Sequence, residues 1–259
     1  MERFALSVFL SLCVGAGSYY VRFLNFKGSV AAAALALVIF GTGGWRWTTP
    51  ILTFFVLSSL LSKLGNVKKK KFESMFEKPD IRDHGQVLAN GGVGGFLALA
   101  QLSMPSMDFY PAYLGSVAAV TADTWGTELG LLANGKTISL VSFRAVPKGV
   151  NGGVSMAGFI AGIFGACVVA VSSLPWYWGT REAAVIVVAG AAASLVDSFL
   201  GATVQAEYEC AVCRARTERK THCNSPAMLV RGKEWITNDV VNWACALSGA
   251  SFGWISQSV

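Results

Sequence analysis

Three carboxylates stand inside stretches that are otherwise apolar enough for a bilayer. Asp123 and Glu128 lie in Thr121-Ala122-Asp123-Thr124-Trp125-Gly126-Thr127-Glu128-Leu129-Gly130, and Asp197 lies in Ala193-Ser194-Leu195-Val196-Asp197-Ser198-Phe199-Leu200-Gly201-Ala202. A fourth, Asp239, opens the last apolar stretch in Ile236-Thr237-Asn238-Asp239-Val240-Val241-Asn242. A charged group at membrane depth costs at least ~2.5 kcal/mol, so such groups mark function. Three acids facing one cavity repel each other unless a cation neutralises them. Hard oxygen ligands suit Mg²⁺, which keeps waters and shares substrate phosphates. Asp123, Glu128 and Asp197 are thus the candidate Mg²⁺ ligands of a metal–phosphate site. A proton or ion relay and plain structural hydrogen bonding are the competing readings. Pairing with Lys or Arg is disfavoured, because no basic residue falls within the cores of these stretches.

A glycine-rich segment suits the phosphate side of such a site. It runs Ser142-Phe143-Arg144-Ala145-Val146-Pro147-Lys148-Gly149-Val150-Asn151-Gly152-Gly153-Val154-Ser155 and feeds an apolar stretch. Glycine lets the backbone approach an anion, and a helix N-terminus offers free N–H groups. Arg144 and Lys148 add charge suited to phosphate. Asn151 and Ser155 are candidate caps or ligands. The segment is not a Walker A loop, which needs Gly-x4-Gly-Lys-Ser/Thr. The plain alternative is a turn before a helix.

The six cysteines divide in two. Cys13, Cys167 and Cys245 sit in apolar stretches and read as small hydrophobes. Cys210, Cys213, His222 and Cys223 share one polar segment as Cys-x2-Cys-x8-His-Cys, a donor set that suits tetrahedral Zn²⁺. A redox pair or disulfide, and unliganded thiols, are the alternatives. A cytoplasmic location disfavours a stable disulfide. This segment reads as a structural lid and not as the chemical centre.

Composition dictates the elements that must hold these groups. The 259 residues are 53% hydrophobic and 14% charged, against about 45–50% and about 25% for soluble domains. That balance excludes disorder and argues against a soluble globule. No nucleic-acid motif accompanies the net charge of +6. Apolar runs near the ~20 residues that a bilayer requires predict eight spans, at about 4–21, 29–44, 48–64, 87–104, 112–133, 154–174, 182–204 and 237–257. Every Lys and Arg except Arg3, Arg46 and Arg181 then falls on one side. Positively charged loops stay cytoplasmic, so the expectation is an all-α transmembrane bundle, a single domain over 1–259, with both termini outside. Its cytoplasmic loops span about 65–86, 134–153 and 205–236. At about 1.5 Å rise per residue, Glu128 lies about 7 Å and Asp197 about 10 Å from the cytoplasmic ends of their spans. Asn90, Asp239 and Asn242 fall in the same half, where they could orient phosphates or metal-bound waters. Trp45, Trp47, Trp176, Tyr177 and Trp178 read as interfacial anchors. Lys68 to Lys71, followed by Phe72, Met75 and Phe76, read as a membrane-surface segment or a topology signal.

Four motifs together resemble a known family. Gln86-Val87-Leu88-Ala89-Asn90-Gly91, the Asp123–Glu128 stretch, Pro147-Lys148-Gly149-Val150-Asn151-Gly152-Gly153-Val154-Ser155 and Asp197-Ser198-Phe199-Leu200-Gly201-Ala202 resemble the polytopic family that includes plant and cyanobacterial phytyl-phosphate kinase. The resemblance covers about residues 28 to 257. It implies Mg²⁺-dependent transfer of a phosphate from a nucleoside triphosphate to an isoprenoid monophosphate, giving the diphosphate used in tocopherol, phylloquinone or chlorophyll-type prenylation. Distant similarity to dolichol and phytol kinases and to phosphatidate cytidylyltransferase makes CTP the first choice of nucleotide. Where the cytidylyltransferases carry Pro-Gly-His-Gly-Gly, this chain has no histidine, which counts against cytidylyl transfer.

Phosphoryl transfer is mostly positioning and charge neutralisation. Asp123, Glu128 and Asp197 would hold the metal. Lys148 and the Gly149–Gly153 backbone would cradle the triphosphate with Arg144 nearby, and the prenyl tail would lie in lipid or between spans. An ion- or proton-coupled transporter and a non-catalytic lipid-binding scaffold are the readings from other classes. No transit peptide is visible, which places a bacterial inner membrane ahead of a plastid membrane.

Overall fold

The computed structural model of the protein describes residues 2–69, 75–76, 81–176 and 179–255. Lys70, Lys71 and Phe72 of the basic run, with Tyr177 and Trp178, lie outside them. The apolar runs form helices α1 (Glu2–Tyr20), α2 (Phe26–Lys69), α3 (His84–Ser103), α4 (Tyr110–Leu132), α5 (Met156–Ser173), α6 (Thr180–Thr203) and α7 (Asn238–Ile255). The second and third expected spans are the two halves of α2, which breaks at Gly44 (φ 60°, ψ −154°). The halves fold back on each other. Leu35 and Ile39 share an apolar cavity with Ile51 and Phe55, and Lys63 Nζ donates to the carbonyl of Val21, just ahead of the start of α2. Glycine is required at the break because that backbone conformation is strained for a side chain.

Phe26–Leu64, Met156–Ser173 and Thr180–Thr203 are long and apolar enough to cross a membrane. Helix α4 is the central element: every residue from Tyr110 to Ala122 is buried by protein, and Asp123 and Glu128 follow in its half-buried part. Small residues permit that central position. Gly115 meets Gly249 of α7, Ala118 meets Gly190 of α6, and Gly126 meets Gly158 of α5. Such close helix approaches are how membrane bundles gain packing energy.

The all-α expectation is corrected in the loops. Between α4 and α5 lies a three-stranded antiparallel sheet, with β1 (Thr137–Ser139) between β2 (Ala145–Val146) and β3 (Gly153–Ser155). Between α6 and α7 lies a four-stranded antiparallel sheet in the order β5-β4-β7-β6. Its strands are β4 (Glu207–Cys210), β5 (Arg216–Thr217), β6 (Thr221–His222) and β7 (Ser225–Arg231).

The loops expected on one side gather at one end of the bundle. Leu24 bridges to Arg82, and Glu218 N donates to Met75 O at 2.8 Å. At the opposite end Arg46 faces Asp108 at 4.0 Å and lies over the Tyr110 ring, while Phe109 stacks on Trp254. Trp47, expected at an interface, is buried against Tyr110 and Tyr113, whereas Trp45 is exposed as expected.

Candidate active site

A cavity of about 140 Å³ opens at the loop end, between α4, α5, α6 and the two small sheets. One water needs roughly 10–15 Å³ of such space, so a hydrated ion and a phosphate group fit together. Its floor is the pair Asp123 and Asp197. Asp123 comes from α4 and Asp197 from α6, each about two turns from the loop end of its helix, and their carboxyls meet in a side-chain hydrogen bond. Asp197 Oδ2 is buried and has no hydrogen-bond partner among the described residues. Buried carboxylate oxygens are seldom left without partners.

The glycine-rich segment forms one wall. Lys148, Gly149, Asn151, Gly152, Gly153 and Ser155 all line the cavity. Gly149 and Gly152 adopt φ of 82° and 75°, which favours glycine. Gly152 is also pressed onto α6 one turn beyond Asp197, where an added Cβ would meet Ala202 N and Ser198 O at 2.5 Å. Ser155 is the N-cap of α5, accepting from Gly158 N at 3.1 Å. The free end of α5 therefore faces the same space. Lys148 Nζ donates to Ala133 O at the C-terminus of α4, which holds the ammonium at the rim.

Five other expected residues are not brought to this cavity. Glu128 is five residues after Asp123, a rotation of about 140° around the helix, so it points away from the acid pair. It accepts from Ser62 Oγ at 2.5 Å and lies beside Arg82. Burial pulls the Arg82 guanidinium down, and the Glu128 charge counters this. The basic neighbour thought absent thus arrives from the loop ahead of α3. Asn90 donates to Gln86 O at 2.8 Å and lines the apolar cavity between the halves of α2 and α3. Arg144 is exposed on the turn between β1 and β2, outside the lining. Asp239 is also outside the lining, one residue past Asn238, which lines it. Asn242 is buried one helical turn above Asn238, on the α7 face that continues to Cys245. Cys245 lies close enough to feel the charges of Asp197 and Asp123.

The sheet after α6 supplies residues that its sequence did not advertise. Glu218 and Gln205 line the cavity, with Gln205 Nε2 donating to Glu218 Oε1 at 2.7 Å. Glu218 is near enough to act electrostatically on Asp197. The third acid at this cavity is therefore Glu218, and the expected lid forms part of the wall. Thr127, Ser194 and Ser198 add hydroxyls from α4 and α6. A Thr or Ser one helical turn from each aspartate was the available signal for Thr127 and Ser194, and adjacency to Asp197 for Ser198; none existed for Glu218.

The Cys/His set forms a second cluster at the far end of β4. The ligand atoms of Cys210, Cys213, His222 and Cys223 lie within 4.8 Å of one another. Backbone N–H of Cys213, with lesser help from Val212, His222 and the Cys213 side chain, draws the Cys210 thiol down to about 6. Hydrogen bonding with Cys213 pushes the Cys223 thiol up to about 11.

Residues 9–250 match the family described as Integral membrane protein DUF92. Protein PGR of Arabidopsis thaliana is 30% identical over 236 residues, covering 81% of this chain and 82% of the relative. An uncharacterized membrane protein of Methanocaldococcus jannaschii, MJ0933, is 29% identical over 181 residues, 70% of this chain and 74% of its own. Protein VTE6, chloroplastic, also of Arabidopsis thaliana, is 26% identical over 229 residues, 83% of this chain and 61% of the relative. No solved structure matches the chain.

Proposed function

The chain belongs to the integral membrane protein family DUF92, and from that premise we propose that it is a membrane-embedded phosphotransferase acting on an isoprenoid monophosphate such as phytyl phosphate. The donor would be a nucleoside triphosphate, CTP first, and the product the isoprenoid diphosphate. One observation carries the reading: two half-buried aspartates from different helices meet beneath a wall of positive-φ glycines, a lysine and an open helix N-terminus. Acids alone would repel an anionic substrate. Acids beneath a phosphate-binding wall suit a cation between them and the phosphate.

Asp123 and Asp197, with Glu218 at the rim, offer only oxygen donors, and the Asp197 oxygen described above has a coordination direction to spare. That donor set fits Mg²⁺, which would neutralise charge on the transferring phosphoryl group. Lys148 and the backbone of Gly149–Gly153 would bind the triphosphate. A phosphate oxygen of the isoprenoid monophosphate attacks the γ-phosphorus as the bond to the nucleoside diphosphate breaks. That oxygen is already anionic at neutral pH, so no general base is required.

An ion- or proton-coupled transporter is the second reading, favoured by the same Asp123–Asp197 contact, since paired carboxyls can share a proton. A single experiment separates the two. Purified protein in liposomes is given CTP, Mg²⁺ and phytyl, geranylgeranyl or farnesyl phosphate. The expected result is isoprenoid diphosphate and CDP in equal amounts, lost in Asp123→Asn. Ion or proton flux that depends on Asp123, with no nucleotide consumed, would replace the kinase reading by the transporter.

A further inference from the structure

The cluster beyond β4 has the dimensions of a metal centre. For zinc–sulfur bonds of about 2.3 Å and zinc–nitrogen bonds of about 2.0–2.1 Å, a tetrahedron places sulfurs about 3.8 Å apart and sulfur about 3.5 Å from nitrogen. Cys213 and Cys223 Sγ are 3.7 Å apart. His222 Nδ1 lies 3.4 Å from Cys213 Sγ and 3.2 Å from Cys223 Sγ. The sulfur separation is far beyond a disulfide bond of about 2.0 Å, and all four cysteines and histidines converge through one atom each.

Two tight turns present these ligands. The first joins β4 to β5, with Arg214 N donating to Cys210 O at 2.9 Å and Arg214 at φ 58°. The second joins β6 to β7 through Cys223 and Asn224, at φ 52° and 57°. Side chains seldom adopt that backbone region, and here all three such residues of this sheet lie in the two turns. The β4–β7 ladder joins the two hairpins as far as Cys210 opposite Ala227, and the two turns project beyond it.

We propose that Cys210, Cys213, Cys223 and the Nδ1 of His222 bind one tetrahedral Zn²⁺, and that this ion locks the β4–β7 sheet in the register that delivers Gln205 and Glu218 to the cavity. Strand β4 starts two residues after Gln205 and ends at the ligand Cys210, and β5 ends one residue before Glu218. Fixing the β4–β5 turn therefore fixes both ends of the Gln205–Glu218 hydrogen bond. The bundle side of the sheet is anchored independently, by Arg231 Nη2 donating to Gly201 O at 3.0 Å. Three thiolates and a neutral imidazole leave the site with one net negative charge. The role is structural, since the protein fills all four positions.

Full-length protein is purified in detergent without chelator and its metal measured by elemental analysis. About one zinc per chain is expected, unchanged in Cys13→Ser/Cys167→Ser and lost in Cys213→Ser/Cys223→Ser. Replacement by Co²⁺ should give the intense visible absorption and thiolate charge-transfer bands of a tetrahedral sulfur-rich site, a readout that survives if the double variant does not fold. Chelation should raise proteolytic cleavage within residues 205–236 at least about tenfold, because a ligand bound only to the ordered form shifts its opening equilibrium by 1 + [L]/Kd. Freely reactive thiols at all three of Cys210, Cys213 and Cys223, without metal in well-folded protein, or a Cys213–Cys223 disulfide, would overturn the site. Zinc present with unchanged cleavage on chelation would overturn the locking role.

Discussion

Asp123 and Glu128 share one helix, lie five residues apart and fall in the same half of the bundle, yet they serve different neighbourhoods. Asp123 faces α6 and the glycine-rich wall and meets a second aspartate. Glu128 faces α2, takes a hydroxyl from Ser62 and sits beside Arg82. A carboxylate matched with a donor and a guanidinium is settled, and it contributes to holding α2 against α4. Two carboxylates held together by the fold are unsettled until something positive joins them. Depth in the membrane does not separate a structural acid from a working one; the angle around the helix does.

The largest expected effect comes from exchanging these roles. Asp123→Asn or Asp197→Asn should lower turnover at least about a thousandfold, the scale of losing charge stabilisation in phosphoryl transfer, while the helical circular dichroism stays unchanged. Glu128→Gln should stay within about tenfold of wild type, because the amide still fills the same space. Equal losses in Asp123→Asn and Glu128→Gln would erase the distinction and return Glu128 to the chemistry.

The glycine wall gives the next effect. In Gly152→Ala the new Cβ would collide with α6 at a φ of 75°. The loop must then move away from Asp197, and misplacement by about 1 Å can cost about a hundredfold. Gly135, in the same connection but with nothing within 4 Å of an added Cβ, should accept alanine with less than about a twofold change. Initial-rate kinetics on both variants would check this. A Gly152→Ala enzyme as active as Gly135→Ala would mean that the wall does not touch the phosphate.

Much of this was legible beforehand, and the failures have physical causes. The helical segments and the gathering of the basic loops follow from apolar run lengths and from where Lys and Arg fall, although the second and third of the eight expected spans are one element broken at Gly44. Asp123 and Asp197 were legible because hydrocarbon depth makes any acid conspicuous. The departure of Glu128 was also encoded, in the five-residue spacing, but a depth argument ignores azimuth. Arg82 was hidden because it enters from a loop. The strands were illegible because segments of two to seven residues owe their pairing to turns and tertiary contacts, without a period long enough to read. Glu218 carries no pattern at all: it reaches the cavity only because the sheet is folded, and because Met75 and Phe76 accept hydrogen bonds from Glu218, Thr217 and Arg219. Trp47 misled because aromatic residues near a helix end read as interfacial whether or not another helix covers them.

The smallest effect tests the other side of the comparison. If Glu128 is a fastening between α4 and α2, its loss should appear in stability and not in rate. Hydrogen bonds to charged groups contribute about 1.5–3 kcal/mol, and Ser62 and Glu128 are in direct contact, so their substitutions should not add. Ser62→Ala and Glu128→Ala should each lower the free energy of unfolding in detergent, the second by more, because it also removes the carboxylate charge that acts on half-buried Arg82. The double variant should cost less than the two single effects combined, by about 1.5–3 kcal/mol. Turnover corrected for folded protein should change by less than about tenfold in all three. Additive destabilisation would show that the 2.5 Å contact contributes nothing to the fastening. A rate collapse in Ser62→Ala, whose hydroxyl donates to Glu128, would instead carry the chemistry across the helix and dissolve the contrast between the two acids.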